Sequence, residues 1–442
     1  MSTREERLAR PASASSNPNL RRLESLGQRG IRLGLSAIDA VCERLGRPER
    51  TVPSVLIAGT NGKGSTAATL ATIASAAGLR TGLYTSPHLI AVTERIRVGL
   101  ADIGPEALDA ALGQVFAAAD RSPAVPLTYF EALTAAAFAT FAREALDLAV
   151  LEVGLGGRHD ATNVAPAGLS LVTSIGYDHM ADLGPTLDAI AREKAGVFRR
   201  GRPALFRADS EEARGALRDA ARAAGSLVHE ADEEIRLADV RTDLAGTRFA
   251  LRTPARDYGQ PLLTPLPGAH QARNAALAVR AAELLGDPRI GEAAVRAGVA
   301  EVRWPGRLER FRVRGRDVLL DGCHNAEGAA ALARFLEETG LRPALLFGVM
   351  ADKEIEAIGG ILLPCVASVC FTAPANERAA PPAELARRLS GLAPESTTAP
   401  SVEEALADAL GVPADEGEPI IVAGSLYLVG EARELLLSRR FE

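Results

Sequence analysis

With 442 residues, 47% of them hydrophobic and only 4% aromatic, the chain is too long for one ordinary core and is expected to form two domains. Its net charge of −6 and its pI near 5.7 argue against a general nucleic-acid binder, so positive charge should be local, at phosphate sites. Cys42, Cys323, Cys365 and Cys370 show neither paired metal-ligand spacing nor a disulfide framework, which fits a reducing cytoplasm. No run of about 18 apolar residues suggests a membrane span.

Residues 1–18 are rich in Arg, Ser, Ala, Asn and Pro, lack an apolar h-region, and read as a loose tail rather than a signal peptide. From 52 to about 302, short apolar runs alternate with longer helical patterns. Segments 148–153 and 169–175 have the β-branched, apolar content of buried strands. Helices are predicted over 66–77, 131–144, 187–198 and 274–285. Such alternation predicts an α/β fold, a doubly wound and mainly parallel sheet occupying residues 19–302. The segment Arg303-Trp304-Pro305-Gly306-Arg307 holds the only tryptophan and a Pro-Gly turn, and marks a linker. Beyond it, 318–321, 344–349, 368–372 and 419–423 read as strands between helices, so residues 308–442 should form a second, smaller α/β domain. Ligands on such sheets gather beyond the carboxyl ends of the strands.

The most informative stretch is Ile57-Ala58-Gly59-Thr60-Asn61-Gly62-Lys63-Gly64-Ser65-Thr66, between an apolar run and an alanine-rich helical pattern. Strand, glycine turn and helix start make a nest of backbone N–H groups aimed at an anion. Lys63 adds a point charge for the outer phosphates, and Ser65 or Thr66 a hydroxyl near metal or phosphate. The common P-loop would need glycine where Ile57 stands. The shortened form Gly-Thr-x-Gly-Lys-Gly-Ser resembles the loop of the Mur ligase superfamily, which activates a carboxylate with ATP and joins it to an amine.

Other candidates are weaker alone. Glu152 ends an apolar strand before Gly154-Leu155-Gly156-Gly157, where it could reach a ligand or simply face water. His179 follows a predicted strand and alone reads first as a hydrogen-bonded structural residue, and Ser86, in Thr85-Ser86-Pro87-His88-Leu89, reads first as a turn residue. Lys194, near the end of a predicted helix, reads first as solvated or as complementing the helix dipole. Its sharper reading is a carbamylated lysine, an anionic oxygen ligand able to help hold a second Mg2+.

Taken in order, the motifs from about residue 30 to 430 closely resemble the folylpolyglutamate synthase/dihydrofolate synthase family, a branch of the Mur ligases. They include 55–66, 85–89, 94–96, 128–131, 152–163, 178–184, 193–197, 268–274, 305–309, 321–325 and 424–427. The resemblance implies that Thr60, Asn61, Gly62, Lys63, Gly64 and Ser65 cradle the ATP phosphates. It implies Ser86, Glu152, His179 and Lys194 as Mg2+ ligands, with Lys63, His179 and Lys194 catalytic. Asn274, Arg307, Asp321 and His324 would hold the nucleotide, with His270 nearby. The pterin substrate would lie along Thr128, Tyr129, Phe130, Glu131, His159, Asp160 and Ala161. The family often has Asp-Gly-Ala-His-Asn-Pro where this chain has Asp321-Gly322-Cys323-His324-Asn325-Ala326, a change that leaves the chemistry intact.

The implied activity is ATP-dependent ligation of L-glutamate to dihydropteroate and to tetrahydrofolate through an acyl phosphate. The cofactors would be ATP and Mg2+, with two ions and a monovalent cation such as K+. A cytoplasmic monomer is expected, with no nucleic-acid or membrane partner and with closure about residues 303–307. A monofunctional folylpolyglutamate synthase or another Mur-type amino-acid ligase is the alternative. A cell-wall nucleotide ligase would need a UDP-binding domain before the P-loop, and only about fifty residues precede it.

Overall fold

The computed structural model describes residues 17–27, 34–392, 395–412 and 418–441. Ser54–Ala58 forms β1, buried along its whole length. Val55 and Ile57 enter one apolar layer, while Leu56 and Ala58 enter the other. A strand apolar on both faces belongs in the middle of a covered sheet.

The first sheet continues with β2 (Thr81–Tyr84), β3 (Ile96–Val98), β4 (Ala101–Asp102), β5 (Leu148–Glu152), β6 (Leu169–Val172), β7 (Pro203–Phe206) and β8 (Leu227–Glu230), in the spatial order β4-β3-β2-β5-β1-β6-β7-β8. All its pairings are parallel except those made by β3. A three-stranded antiparallel sheet follows, built from β9 (Arg236–Asp243), β10 (Gly246–Arg252) and β11 (Leu262–Thr264). The third sheet contains β12 (Arg307–Val313), β13 (Arg316–Asp321), β14 (Ala344–Phe347), β15 (Ser368–Phe371), β16 (Ser396–Thr398) and β17 (Ile420–Ala423). Its order is β12-β13-β17-β14-β15-β16, parallel except for β12 against β13.

The doubly wound sheet and the smaller α/β sheet are those expected from the alternation of strands and helices. Several details differ. The alternation suggested parallel strands throughout 52–302, yet 236–264 is antiparallel. β9 is largely exposed and carries arginine, aspartate and threonine, so it has no continuous apolar signature to read. Of the tail expected over 1–18, residues 1–16 lie outside the described residues. Pro18 instead opens a helix, Pro18–Leu26, that buries Leu20, Leu23 and Leu26. The 187–198 helix ends at Lys194 and tightens into a single 3-10 turn, Ala195–Val197.

Helix Lys63–Ala76 starts three residues earlier than its pattern suggested, because Lys63, Gly64 and Ser65 at the end of the glycine-rich turn supply its first turn. It lies beneath helices Ala269–Leu284 and Glu292–Glu301, which bury it almost completely. Glycine is required at the second crossing: a Cβ on Gly298 would collide with the backbone of Ile73. Gly298→Val should therefore overpack this layer and cost about 1–3 kcal/mol. A lowered urea midpoint with an unchanged slope is the expected result.

Candidate active site at the carboxyl ends of two sheets

The turn after β1 requires two glycines in the left-handed half of backbone space. Gly59 has φ +146° with its Cα against Thr173, and Gly62 has φ +82° beside the Asn274 amide. Neither place has room for a side chain. Thr173 and Ser174, just past β6, brace the turn from behind. The Thr173 hydroxyl donates to Asn61 O at 2.6 Å, and Asn61 N–H donates to Ser174 Oγ at 3.0 Å. Trp304 packs over Gly64, where a Cβ would come within 2.6 Å of the indole.

Lys63 Nζ donates to Gly59 O at 2.9 Å and to Thr60 O at 3.0 Å. Lys194, 135 residues beyond Gly59, is buried and donates to the same Gly59 oxygen at 2.9 Å. The solvated reading of Lys194 is thus wrong, because its helix delivers it beneath the phosphate loop. Burial, reinforced by the Lys63 charge, pushes the Lys194 pKa down to about 7. Burial also lowers Lys63, opposed by Glu152 and Asp178.

Two cavities meet at this loop. One, of about 330 Å3, is lined by Asn61, Gly62, Asn274, Arg307, Asp321 and His324 among others, together with His270, Arg207 and Arg273. The other, of about 340 Å3, takes in Thr60–Ser65, Ser86, Glu152, His179, Lys194, Arg307 and His324. Of the expected nucleotide residues, Asn274 and Asp321 line only the first cavity, whereas Thr60, Lys63 and Gly64 line only the second, together with the expected metal ligands. Arg307 and His324 stand between them.

Within the second cavity, Ser86 N–H donates to Glu152 Oε2 at 3.1 Å, and burial raises the Glu152 pKa against the pull of Lys63. His179 has φ +50°, an uncommon conformation for a side-chain-bearing residue. Its Nε2 is 3.8 Å from Asp178 Oδ1. Among the described residues no three His, Cys, Asp or Glu side chains converge on one point. A buried carboxylate beside a serine and a phosphate nest nonetheless suits Mg2+, which takes few protein oxygens and keeps waters and phosphate oxygens. In the neighbouring cavity, Asp321 is already engaged: Oδ1 accepts Cys323 N–H at 3.0 Å and Oδ2 accepts Leu308 N–H at 3.1 Å.

The residues expected along the pterin line neither cavity. Thr128 caps helix Tyr129–Arg143, and Glu131 returns the bond by accepting Thr128 N–H at 2.8 Å. Asp160 is buried and accepts N–H groups from Gly154, Leu155 and Thr162, so it shapes the loop after β5. Phe130 lies across Gly154, where a Cβ would come within 2.6 Å of its ring. Tyr129 lies beneath the Arg95 guanidinium, Ala161 is buried and His159 is exposed.

Sequence reasoning assigned no role to several residues that the second cavity contains, including His88, Arg95, Asp178, Lys353, Arg378 and Ser425. Lys353 follows β14 and Arg378 follows β15, so the carboxyl-end rule could have found both. Asp178 is 3.4 Å from Lys353 Nζ across the two sheets. Asn61 Nδ2 likewise donates to Glu327 Oε2 at 2.7 Å, and Asn325 Nδ2 donates back to Asn61 Oδ1 at 3.2 Å. The second cavity holds Lys63, Arg95, Lys194, Arg307, Lys353 and Arg378 against Glu152, Asp178 and Asp352. An acidic protein has thus concentrated positive charge where several anions could meet.

Family models describe both halves of this site. The Mur ligase middle domain matches residues 57–282, and the Mur ligase glutamate ligase domain matches residues 306–426. Fold and site therefore define a Mur-type ligase. The chain is 34% identical over 424 residues to a dihydrofolate synthase/folylpolyglutamate synthase of Escherichia coli (strain K12), covering 95% of this chain and 94% of that one. The solved structure of E. coli FolC in complex with DHPP and ADP matches with a TM-score of 0.86 at 32% identity, over 97% of this chain and 100% of that one. A bifunctional folylpolyglutamate synthase/dihydrofolate synthase from Yersinia pestis, complexed with AMPPNP and Mn ion, matches with a TM-score of 0.84 at 30% identity, again over 97% and 100%. The chain belongs to the dihydrofolate synthase/folylpolyglutamate synthase family.

Two measurements test this geometry. Gly62→Ala should strain the turn and press on Asn274, weakening binding of a non-hydrolysable ATP analogue about tenfold or more by calorimetry. The second concerns stability. Burial lowers His88, His270 and His324 from 6.5 to about 4. Between those values the unfolded chain binds more protons than the folded one, so stability should fall as pH drops from about 6.5 to about 4. Urea titrations should show that slope, and His270→Gln should lose its share.

Proposed function

We propose that this chain is an ATP-dependent ligase that adds L-glutamate to dihydropteroate, making dihydrofolate, and to tetrahydrofolate, extending its glutamate tail. The observation that carries the reading is the phosphate nest opening between two cavities. One side suits a nucleotide and the other gathers cationic groups around Glu152. The ligands named for the E. coli and Y. pestis structures, ADP, DHPP, AMPPNP and Mn ion, fit the same division.

In this reading the γ-phosphate moves to the acceptor carboxylate, forming an acyl phosphate and releasing ADP. Glutamate's amine then attacks the carbonyl carbon, phosphate leaves, and an amide remains. The chain's part is positioning and charge neutralisation. Lys63 and the N–H groups of 60–65 hold the phosphates, while Arg307 reaches them from the second sheet. Asn274, Asp321 and His324 face the nucleoside. Thr128–Glu131 and His159–Ala161 flank the pterin through the loops they shape. Ser86, Glu152, His179 and Lys194 would hold Mg2+, which neutralises phosphate charge when bound. Two such ions, a monovalent cation such as K+, and a cytoplasmic monomer complete the proposal. Among the described residues no helix is long and apolar enough to cross a membrane. Residues 19–302 and 308–442 would act as two domains, closing about 303–307 to exclude water.

Lys194 is proposed to be carbamylated. Two ammonium groups on one buried carbonyl repel each other, and a pKa near 7 leaves much of Lys194 neutral and able to add CO2. The adduct turns that repulsion into attraction.

Purified protein given ATP, Mg2+ and radiolabelled glutamate should label products from both dihydropteroate and tetrahydrofolate. Label in only one leaves a monofunctional enzyme, and label in neither overturns the folate assignment. Lys194→Ala should lose at least about a hundredfold in turnover while ATP binding changes less than about fivefold. A nucleotide switch without ligase chemistry would instead keep its nucleotide-dependent behaviour.

A further inference from the structure

Glu94 folds back the loop that follows β2. Its Oε2 accepts Leu89 N–H at 2.9 Å, and its Oε1 accepts those of Ile90 and Ala91 at 2.9 and 2.8 Å. Leu89 is thereby pressed between Gly306 and the start of the last helix, Leu426–Leu437, against the core of the second sheet. This fold-back sets His88 against Arg95, whose Nε donates to His88 Nδ1 at 2.9 Å. A guanidinium N–H can only donate, so Nδ1 is the acceptor and the ring carries its proton on Nε2.

The same guanidinium lies over the Tyr129 ring, with Cζ 5.3 Å from the centroid. Arg95 is thus held along one edge and supported on one face. Among the described residues its two terminal nitrogens have no hydrogen-bond partner, and no carboxylate pairs with it. It nevertheless lines the cavity of Glu152, Lys63 and Lys194, whose lining also includes Tyr427. A restrained, unpaired guanidinium over one tyrosine, in a cavity lined by a second, suits a carboxylate attached to an aromatic body.

We propose that His88 is a positioning residue whose Nδ1 locks the Arg95 guanidinium, so that its free edge meets the carboxylate of the acceptor substrate. The inference rests on the folate-ligase reading and assigns this carboxylate to the pterin acceptor, not to glutamate or ATP. Docking of Leu89 against the second domain connects that lock to the side that carries Arg378 and Ser425. An arginine released from His88 would keep its charge and lose its aim, so the loss should fall on acceptor binding.

Steady-state kinetics on the full chain, varying dihydropteroate, glutamate and ATP in turn, test this. His88→Phe fills the ring's space without an acceptor and should raise KM for dihydropteroate about tenfold, the value of one hydrogen bond to a charged group. KM for ATP should stay within about twofold. His88→Asn offers Oδ1 close to the place of Nδ1 and should bring KM back to within about threefold of wild type. The proposal is overturned if the Phe variant leaves KM for dihydropteroate unchanged, if the rise falls on glutamate or ATP, or if Asn is as impaired as Phe. Should His88→Phe fail to give a cooperative melt, a double-mutant cycle of His88→Ala with Arg95→Lys replaces it. Loss of the His88 effect in the Lys background supports the lock, and simple additivity overturns it. Wild-type protein that ligates glutamate to neither pterin removes the underlying reading itself, a result distinct from any variant outcome.

Discussion

The carbonyl oxygen of Gly59 accepts from two lysine ammonium groups, and most of the site depends on that meeting. Lys63 arrives from the first residue of the helix that the phosphate loop opens, while Lys194 arrives from the far end of another helix. Burying two like charges together is costly unless something answers them. Part of the answer is fixed: the carbonyls of Gly59 and Thr60, with the Glu152 and Asp178 carboxylates nearby. The rest is left to a ligand, so the loop is electrostatically suited to an anion. The backbone must adopt glycine-only conformations to present that carbonyl, which ties the charge arrangement to Gly59 and Gly62.

Neither sheet contains the site alone. The turns after β1, β2, β5 and β6 meet those after β13, β14, β15 and β17, so parallel strands from two sheets direct their carboxyl ends into one cleft. Asn61 within the phosphate loop reaches Asn325 and Glu327 at the start of a second-sheet helix, and Asp178 reaches Lys353. The glycine turn after β1 is therefore also the loop that touches the other sheet. A reactive acyl phosphate needs that kind of enclosure to be protected from water.

The His88–Arg95 contact shows the same economy on a smaller scale. One glutamate folds the loop, one leucine anchors it on the second sheet, and the resulting fold-back aims an arginine at the cleft. The antiparallel sheet β9–β11 plays a different part. Glu234, at the end of the helical turn before it, and Glu283 both bond Arg280, and Glu283 also accepts from Thr253 and Tyr258. That network fastens the sheet to helix Ala269–Leu284, whose first turns carry His270 and Asn274.

Local chemistry is legible in the chain before any fold is known. An apolar run, a glycine turn and an alanine-rich helix specify strand, nest and helix over Ser54–Ala76, because each feature depends on near neighbours. The alternation of strands and helices likewise determined the two parallel sheets, and the ordered motifs pointed to the family. What each remaining side chain meets is set by the three-dimensional fold. Lys194 carries the same local signature as a solvated lysine, and only a contact 135 residues distant makes it buried. Thr128, Glu131 and Asp160 stood out as substrate residues, yet their hydrogen bonds first build a helix start and a loop. The antiparallel sheet stayed hidden because an exposed strand mixes polar and apolar residues like an ordinary surface segment. The physical reason is common to all of these. Conformation is largely set by a residue's neighbours in the chain, whereas burial, charge environment and hydrogen-bond partners are set by whatever the fold brings beside it.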